Sequence, residues 1–251
     1  MMGLRSFSIQ SLSLLLLFGG WALVSYGVQS ELLPPPHEVF ARIFEEAQTG
    51  ELYQHCLATL WRVLAAFILA MFIGSFIGLS MGLNKSAGCF FEPWLLFLLN
   101  IPALVVIILC YLWVGLNEVA AVLAVSINKI PNVAITLREG AKSLDRGLAD
   151  MASSYRLSTA TKLKHIILPQ LVPFFAAASR SGLALIWKIV LVVELLGRSD
   201  GVGFQLHLFF QMFDVTGILA YSIAFIGVIL CIEYGLIGPW ERHVSKWRIS
   251  S

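Results

Sequence analysis

Six stretches of this chain stay apolar for roughly 20 residues or more, the length a helix needs to cross a bilayer. They occupy 7–28, 57–83, 93–116, 119–137, 172–196 and 215–240. Hydrophobic residues make up 58% of the 251 and charged residues only 13%, against about a quarter charged in a soluble domain. One water-soluble core cannot hide that much apolar surface, so lipid must be the solvent for much of it. The pattern predicts an all-α integral membrane protein of six transmembrane helices in a single domain, 1–251. The first run follows the segment MMGLRS and has the position of a signal peptide. Its apolar stretch is too long for one, and we read it as a retained helix.

Basic residues orient the spans. With the N-terminus inside, the inner segments hold Arg5, Lys85, Arg138, Lys142, Arg146, Arg156, Lys162, Lys164, Arg242, Lys246 and Arg248. The outer ones hold only Arg42 and Arg198. That asymmetry places both termini and the segment 138–171 in the cytoplasm. The net charge of +2 gives no reason to expect nucleic acid. Cys56, Cys89, Cys110 and Cys231 stand far apart with no CxxC pair, and neither a metal site nor a disulfide is expected.

Outside the membrane, the segment ELLPPPHEVFARIFEEAQTG puts Val39, Phe40, Ile43, Phe44 and Ala47 on one helical face, predicting a short amphipathic helix after the prolines. Inside it, Gly74, Gly78 and Gly82 recur every four residues on one face of the second run. Gly78, Ser80 and Gly82 also spell GxSxG, but that nucleophile elbow needs a strand before it. Within an apolar helix the glycines predict close helix packing instead. Pro102 and Pro131 predict kinks in the third and fourth runs.

Charges within the runs are Arg62, Lys129, Arg180, Lys188, Glu194 and Glu233. The fifth run carries three of them, costing up to about 8 kcal/mol against roughly 6 returned by its apolar residues. It should therefore face other helices or a wet cavity. Arg180, Trp187 and Glu194 share a face at seven-residue spacing, with Lys188 beside it and Lys129 at similar depth on the fourth run. Paired or snorkelling lysines are one reading of these positions. A cationic lining for an anionic solute is the other, and Lys129, Arg180, Trp187, Lys188 and Glu194 are its candidate residues.

The segment 138–171 is patterned. Leu148, Met151, Ala152 and Tyr155 fall at helical spacing, Leu163, Ile166 and Ile167 form a second stripe, and Pro169 and Pro173 mark the return to the membrane. This predicts helix, turn and helix, tied to the fifth run. The segment resembles the EAA loop of binding-protein-dependent ABC importer permeases, whose pattern is E-A-A-x3-G-x9-I-x-L-P. Asp150 stands at the Glu position, Met151 and Ala152 at the Ala positions, Arg156 at the Gly position, and Ile166, Leu168 and Pro169 match the tail. From about Leu33 to Trp247 the chain is similar to permeases of the nitrate, sulfonate and taurine group.

The resemblance implies a MetI-like six-helix permease in the bacterial inner membrane. It also implies a second permease copy, taken as a homodimer, two cytoplasmic ATP-binding subunits and an external solute-binding protein. Asp150, Met151, Ala152, Ser153, Ser154, Tyr155 and Arg156, with Leu168 and Pro169, are then the ATPase-coupling residues. The chain contains no GxxxxGK[ST] loop, so it is not expected to be an enzyme or to hold a cofactor, and ATP and Mg belong to the partner. An ion-gradient-driven secondary transporter or channel would also use six spans and buried charges, although no inverted repeat of broken spans separates the two halves.

Overall fold

The computed structural model describes residues 2–28, 30 and 32–238, and every regular element among them is helical. Helix α1 spans Met2–Val28 and α2 Pro36–Thr49, followed by α3 (Glu51–Leu83), α4 (Lys85–Asn100), α5 (Ala103–Val114) and α6 (Glu118–Lys142). Then come α7 (Arg146–Ser154), α8 (Thr159–Lys162), a wide π-type turn at Leu163–Ile167, α9 (Leu168–Gly197), α10 (Val202–Gln211) and α11 (Val215–Ile232). All-helical structure is what hydrocarbon demands, because helices satisfy their own backbone donors and acceptors.

Four helical stretches among the described residues are long and apolar enough to cross a membrane: Glu51–Leu83, Glu118–Lys142, Ala160–Gly197 and Val215–Gly235. Leu12–Val28 is a shorter apolar helix. The expected third span, 93–116, is not one helix. Helices α4 and α5 meet at a 98° bend, because Pro102 lacks a donor and pushes Ile101 out of the helical region, where it sits at φ −76°, ψ 126°. By contrast α6 continues through Pro131. Pro169 and Pro173, read as marking the return to the membrane, lie within a single helical stretch, Ala160–Gly197. In the π-type turn the Leu168 amide bonds to the Leu163 carbonyl, and this wider turn accommodates the ring of Pro169. The last expected span, 215–240, is described to residue 238.

Packing centres on α3, α6 and α9. One core joins Val63 and Ala66 of α3, Ile107 of α5, Ala120 and Ala124 of α6, and Ile186 and Val190 of α9. A second joins Leu52 and Cys56 of α3 to Phe209 of α10 and Tyr221 and Phe225 of α11, and Trp187 packs against both. Helix α2 is pinned to the second core by Ile43 and Ala47, and by the Tyr221 hydroxyl donating to Glu46 (3.1 Å). Helix α1 stands apart, held by Trp21 Nε1 donating to the Pro34 carbonyl and Ser25 donating to that of Leu33. Its Leu14, Leu15, Leu16 and Leu23 are exposed, as a lipid-facing helix requires.

The seam between α3 and α6 runs along the spaced glycines. A Cβ on Gly78 would lie 2.3 Å from the Ala134 carbonyl oxygen, and one on Gly82 would lie 2.4 Å from the Ala141 Cβ. The two backbones meet there with no room for a methyl group. Gly78→Ala is therefore expected to lower stability by about 1–3 kcal/mol, read as a lower thermal midpoint of the purified protein. Gly227→Ala, in a helix interior where nothing lies within 4 Å, should leave that midpoint unchanged or raise it.

Candidate coupling helix and intramembrane charge cluster

At one end of the bundle, α7 projects from the α6–α9 connection. Asp145 caps it, its Oδ1 accepting from the Gly147 amide (2.7 Å). The Asp145 amide in turn donates to the Gln170 side chain (2.9 Å), which ties the start of α7 to the start of α9. Ala152 is buried, whereas Leu148, Met151 and Tyr155 are exposed, Tyr155 at 76%. The predicted apolar stripe thus splits: one small residue packs inward and three larger ones face out. Asp150, Ser154, Leu168 and Pro169 are exposed as well. The Ser153 side chain lies outside the described residues.

The chain leaves α7 through a turn at Arg156, which adopts a left-handed conformation, φ 52°, while the Leu157 amide closes back onto the Ala152 carbonyl (3.0 Å). That is a helix stop normally made with glycine. The arginine keeps the turn at the cost of strain.

At the opposite end, charges converge. The Arg62 guanidinium, 2% exposed, donates through Nη1 to Glu194 Oε1 (2.7 Å) and to the Asp200 carbonyl (2.9 Å). Its Nε and Nη2 form a two-pronged pair with Glu118 (2.9 and 2.7 Å), and Nη2 also meets the Asp200 carboxylate. Arg198 closes onto the same Glu118. The Glu194 carboxylate is completely buried. Its Oε2 accepts from the Thr59 hydroxyl (2.9 Å) and from the Gly203 amide at the start of α10 (2.9 Å), where the helix dipole favours an anion. The turn into α10 needs Gly201, at φ +105°, because a Cβ there would lie 2.4 Å from the Glu194 carboxyl carbon. The cluster fastens α3, α6, α9 and α10 to one another.

Residues 70–235 match the family model described as the binding-protein-dependent transport system inner membrane component. The chain belongs to that family. It is 31% identical over 232 residues to the putative aliphatic sulfonates transport permease SsuC of Escherichia coli (strain K12), covering 90% of this chain and 87% of that one. It is 28% identical to the taurine transport permease TauC of the same organism, covering 90% and 84%. A probable ABC transporter permease of Brucella abortus (strain 2308) is 27% identical over 98% of this chain and 97% of its own. Two solved structures share the fold. They are an amino acid ABC transporter crystallised with histidines (TM-score 0.64, 20% identical, 78% of this chain and 95% of that one) and the MetNI methionine ABC transporter (TM-score 0.61, 16% identical, 74% and 94%).

The five candidate pathway residues of the permease do not gather on one lining. Exposure grades along α9, from exposed Arg180 and Lys188 through half-buried Trp187 to buried Glu194. The Lys188 ammonium lies over the Trp187 ring, 5.5 Å from its centroid. Lys129 is 2% exposed, and its Cε lies 3.1 Å from where a Cβ on Gly182 would be. Glu194 is engaged by Arg62 rather than open to a solute. Arg62, Glu118, Asp200 and Arg198 had no place in the sequence-derived site. Arg62 and Glu194 do carry opposite charges near the same end of their helices, which is the signal that could have paired them.

Two outcomes follow from this geometry. Arg62→Met strands a buried carboxylate and should cost about 3–5 kcal/mol, while Arg62→Met with Glu194→Leu should recover most of it. Thermal midpoints of the three proteins test this. Arg156→Gly should remove about 1 kcal/mol of left-handed strain, read as slower chymotryptic cleavage at Tyr155.

Proposed function

We propose that this permease imports a small anion across the bacterial inner membrane, driven by ATP hydrolysis in cytoplasmic subunits that dock on α7. The observation that carries the reading is the exposed face of Leu148, Met151 and Tyr155 on a capped helix. Apolar side chains held out on a nine-residue helix beyond the ends of the apolar spans are suited to a protein groove. ABC importer permeases work with ATPase and solute-binding subunits. For this chain we assign two ATP-binding subunits holding ATP and Mg, a second copy of the permease, and a solute-binding protein at the opposite face. The α7 end is cytoplasmic, in keeping with the basic residues around it and with both termini inside.

Helix α7 with Arg156, Leu168 and Pro169 forms the coupling element. Its movement passes through the Asp145–Gln170 hydrogen bond into the helical stretch Ala160–Gly197. Arg180, Trp187 and Lys188 of α9, with Lys129 of α6, are assigned to separate stretches of the solute pathway, and Glu194 to the Arg62 clamp. The relatives named for aliphatic sulfonates, taurine and bicarbonate all point to a small anion as cargo.

Uptake into sealed vesicles tests the reading. Uptake should require internal ATP and the ATPase subunits, and an ion gradient alone supporting it would overturn the assignment in favour of a secondary transporter. Met151→Asp should abolish co-purification of the ATPase while leaving the amount of permease in the membrane unchanged. ATPase recovered with that variant at wild-type levels would remove α7 as the docking element.

A further inference from the structure

A cavity of about 700 Å³ opens at the α7 end, behind the coupling helix and between the ends of α3, α4, α6 and the start of α9. Its lining has two characters. Met81, Leu83, Ile166 and Ile167 make an apolar floor, while Lys85, Arg138 and Lys142 stand among the charged groups around it. The two acids on the lining are already engaged. Glu92 accepts from Arg138 (3.2 Å), and Asp145 caps α7. Lys142 pairs with the exposed Glu139 (3.3 Å). Lys85, at the first residue of α4, has no ion pair among the described residues.

The depth of the cavity follows from the sequence. Leu83 gives way to Asn84 and Lys85, and Leu137 to Arg138, so the cavity straddles the step from hydrocarbon to headgroup. Beside it, α4 presents Phe90, Trp94 and Phe97 outward, each more than 60% exposed. Tryptophans such as Trp94 gather at the membrane interface. A soluble ion would satisfy the cations and leave the apolar floor bare. An amphiphile with an anionic head satisfies both, with its chain running along α4.

We infer that this cavity binds the phosphate headgroup of an anionic phospholipid through Lys85 and Lys142, beside the mount of α7. Basic pockets between helices on the cytoplasmic side are general sites for such headgroups. A lipid there contacts Asp145 and Gln170, the two residues whose hydrogen bond ties α7 to α9. Its occupancy therefore stiffens that mount.

The test uses the full chain, purified with the subunits that accompany it, incubated with phosphatidylglycerol and examined by native mass spectrometry. Wild type should retain the lipid. Lys85→Gln and Lys142→Gln should each weaken retention about five-fold, equivalent to about 1 kcal/mol per basic side chain at the headgroup. Lys164→Gln, at an exposed lysine outside the cavity lining, should not. Phosphatidylcholine should be retained poorly by all forms, and inorganic phosphate should not displace phosphatidylglycerol. Equal retention by wild type and both cavity variants would overturn the site. Displacement by inorganic phosphate at matched concentration would overturn the lipid as its occupant.

Discussion

The ion cluster around Arg62 is the contact on which the rest of the bundle depends. A guanidinium and a carboxylate, each nearly or wholly removed from solvent, sit where both would be costly alone. The cost is offset by completeness. Arg62 meets three acidic residues and a carbonyl, and Glu194 is held by Arg62, Thr59 and the Gly203 amide. Because these partners come from α3, α6, α9 and the turn into α10, the cluster fixes the relative positions of all four. Glu118 and Asp200 are half-exposed and keep water as a partner, so removing Arg62 leaves Glu194 as the buried charge without a match.

Helix α9 connects this clamp to the other end of the molecule. Its last turn carries Glu194, and its first carries Gln170, which holds the mount of α7. A helical stretch of 38 residues reaches about 57 Å at 1.5 Å per residue. One continuous element, rather than a relay of loops, therefore links the two ends mechanically. The glycine seam between α3 and α6 serves the same mechanical end. Backbones in direct contact leave little side-chain packing to yield, so those helices respond together.

What the sequence made legible followed from solvent. Apolar runs, spaced glycines and the amphipathic α2 are read directly because lipid and close packing impose simple periodicities. The helical spacing around Asp150 was also legible, and Arg156 takes a left-handed conformation that glycine usually supplies. Other features were set by contacts that no local pattern encodes. The bend at Pro102 and the continuity at Pro131 come from the same residue type, and the structure alone separates them. Helix α10 is ten residues long, too short to register as a span, and its place depends on Gly201 turning beneath the Glu194 carboxylate. Arg62 and Glu194 lie 132 residues apart, so their pairing is tertiary information.

The central claim is that α7 is the surface on which an ATP-hydrolysing partner acts. Hydrogen–deuterium exchange across residues 146–157, with and without the ATPase subunits bound, tests it most directly. The account predicts that the α7 amides and the turn at Arg156 exchange markedly more slowly in the complex, while those of α2 do not change. Unaltered exchange in α7 within a complex shown to be fully assembled would contradict it.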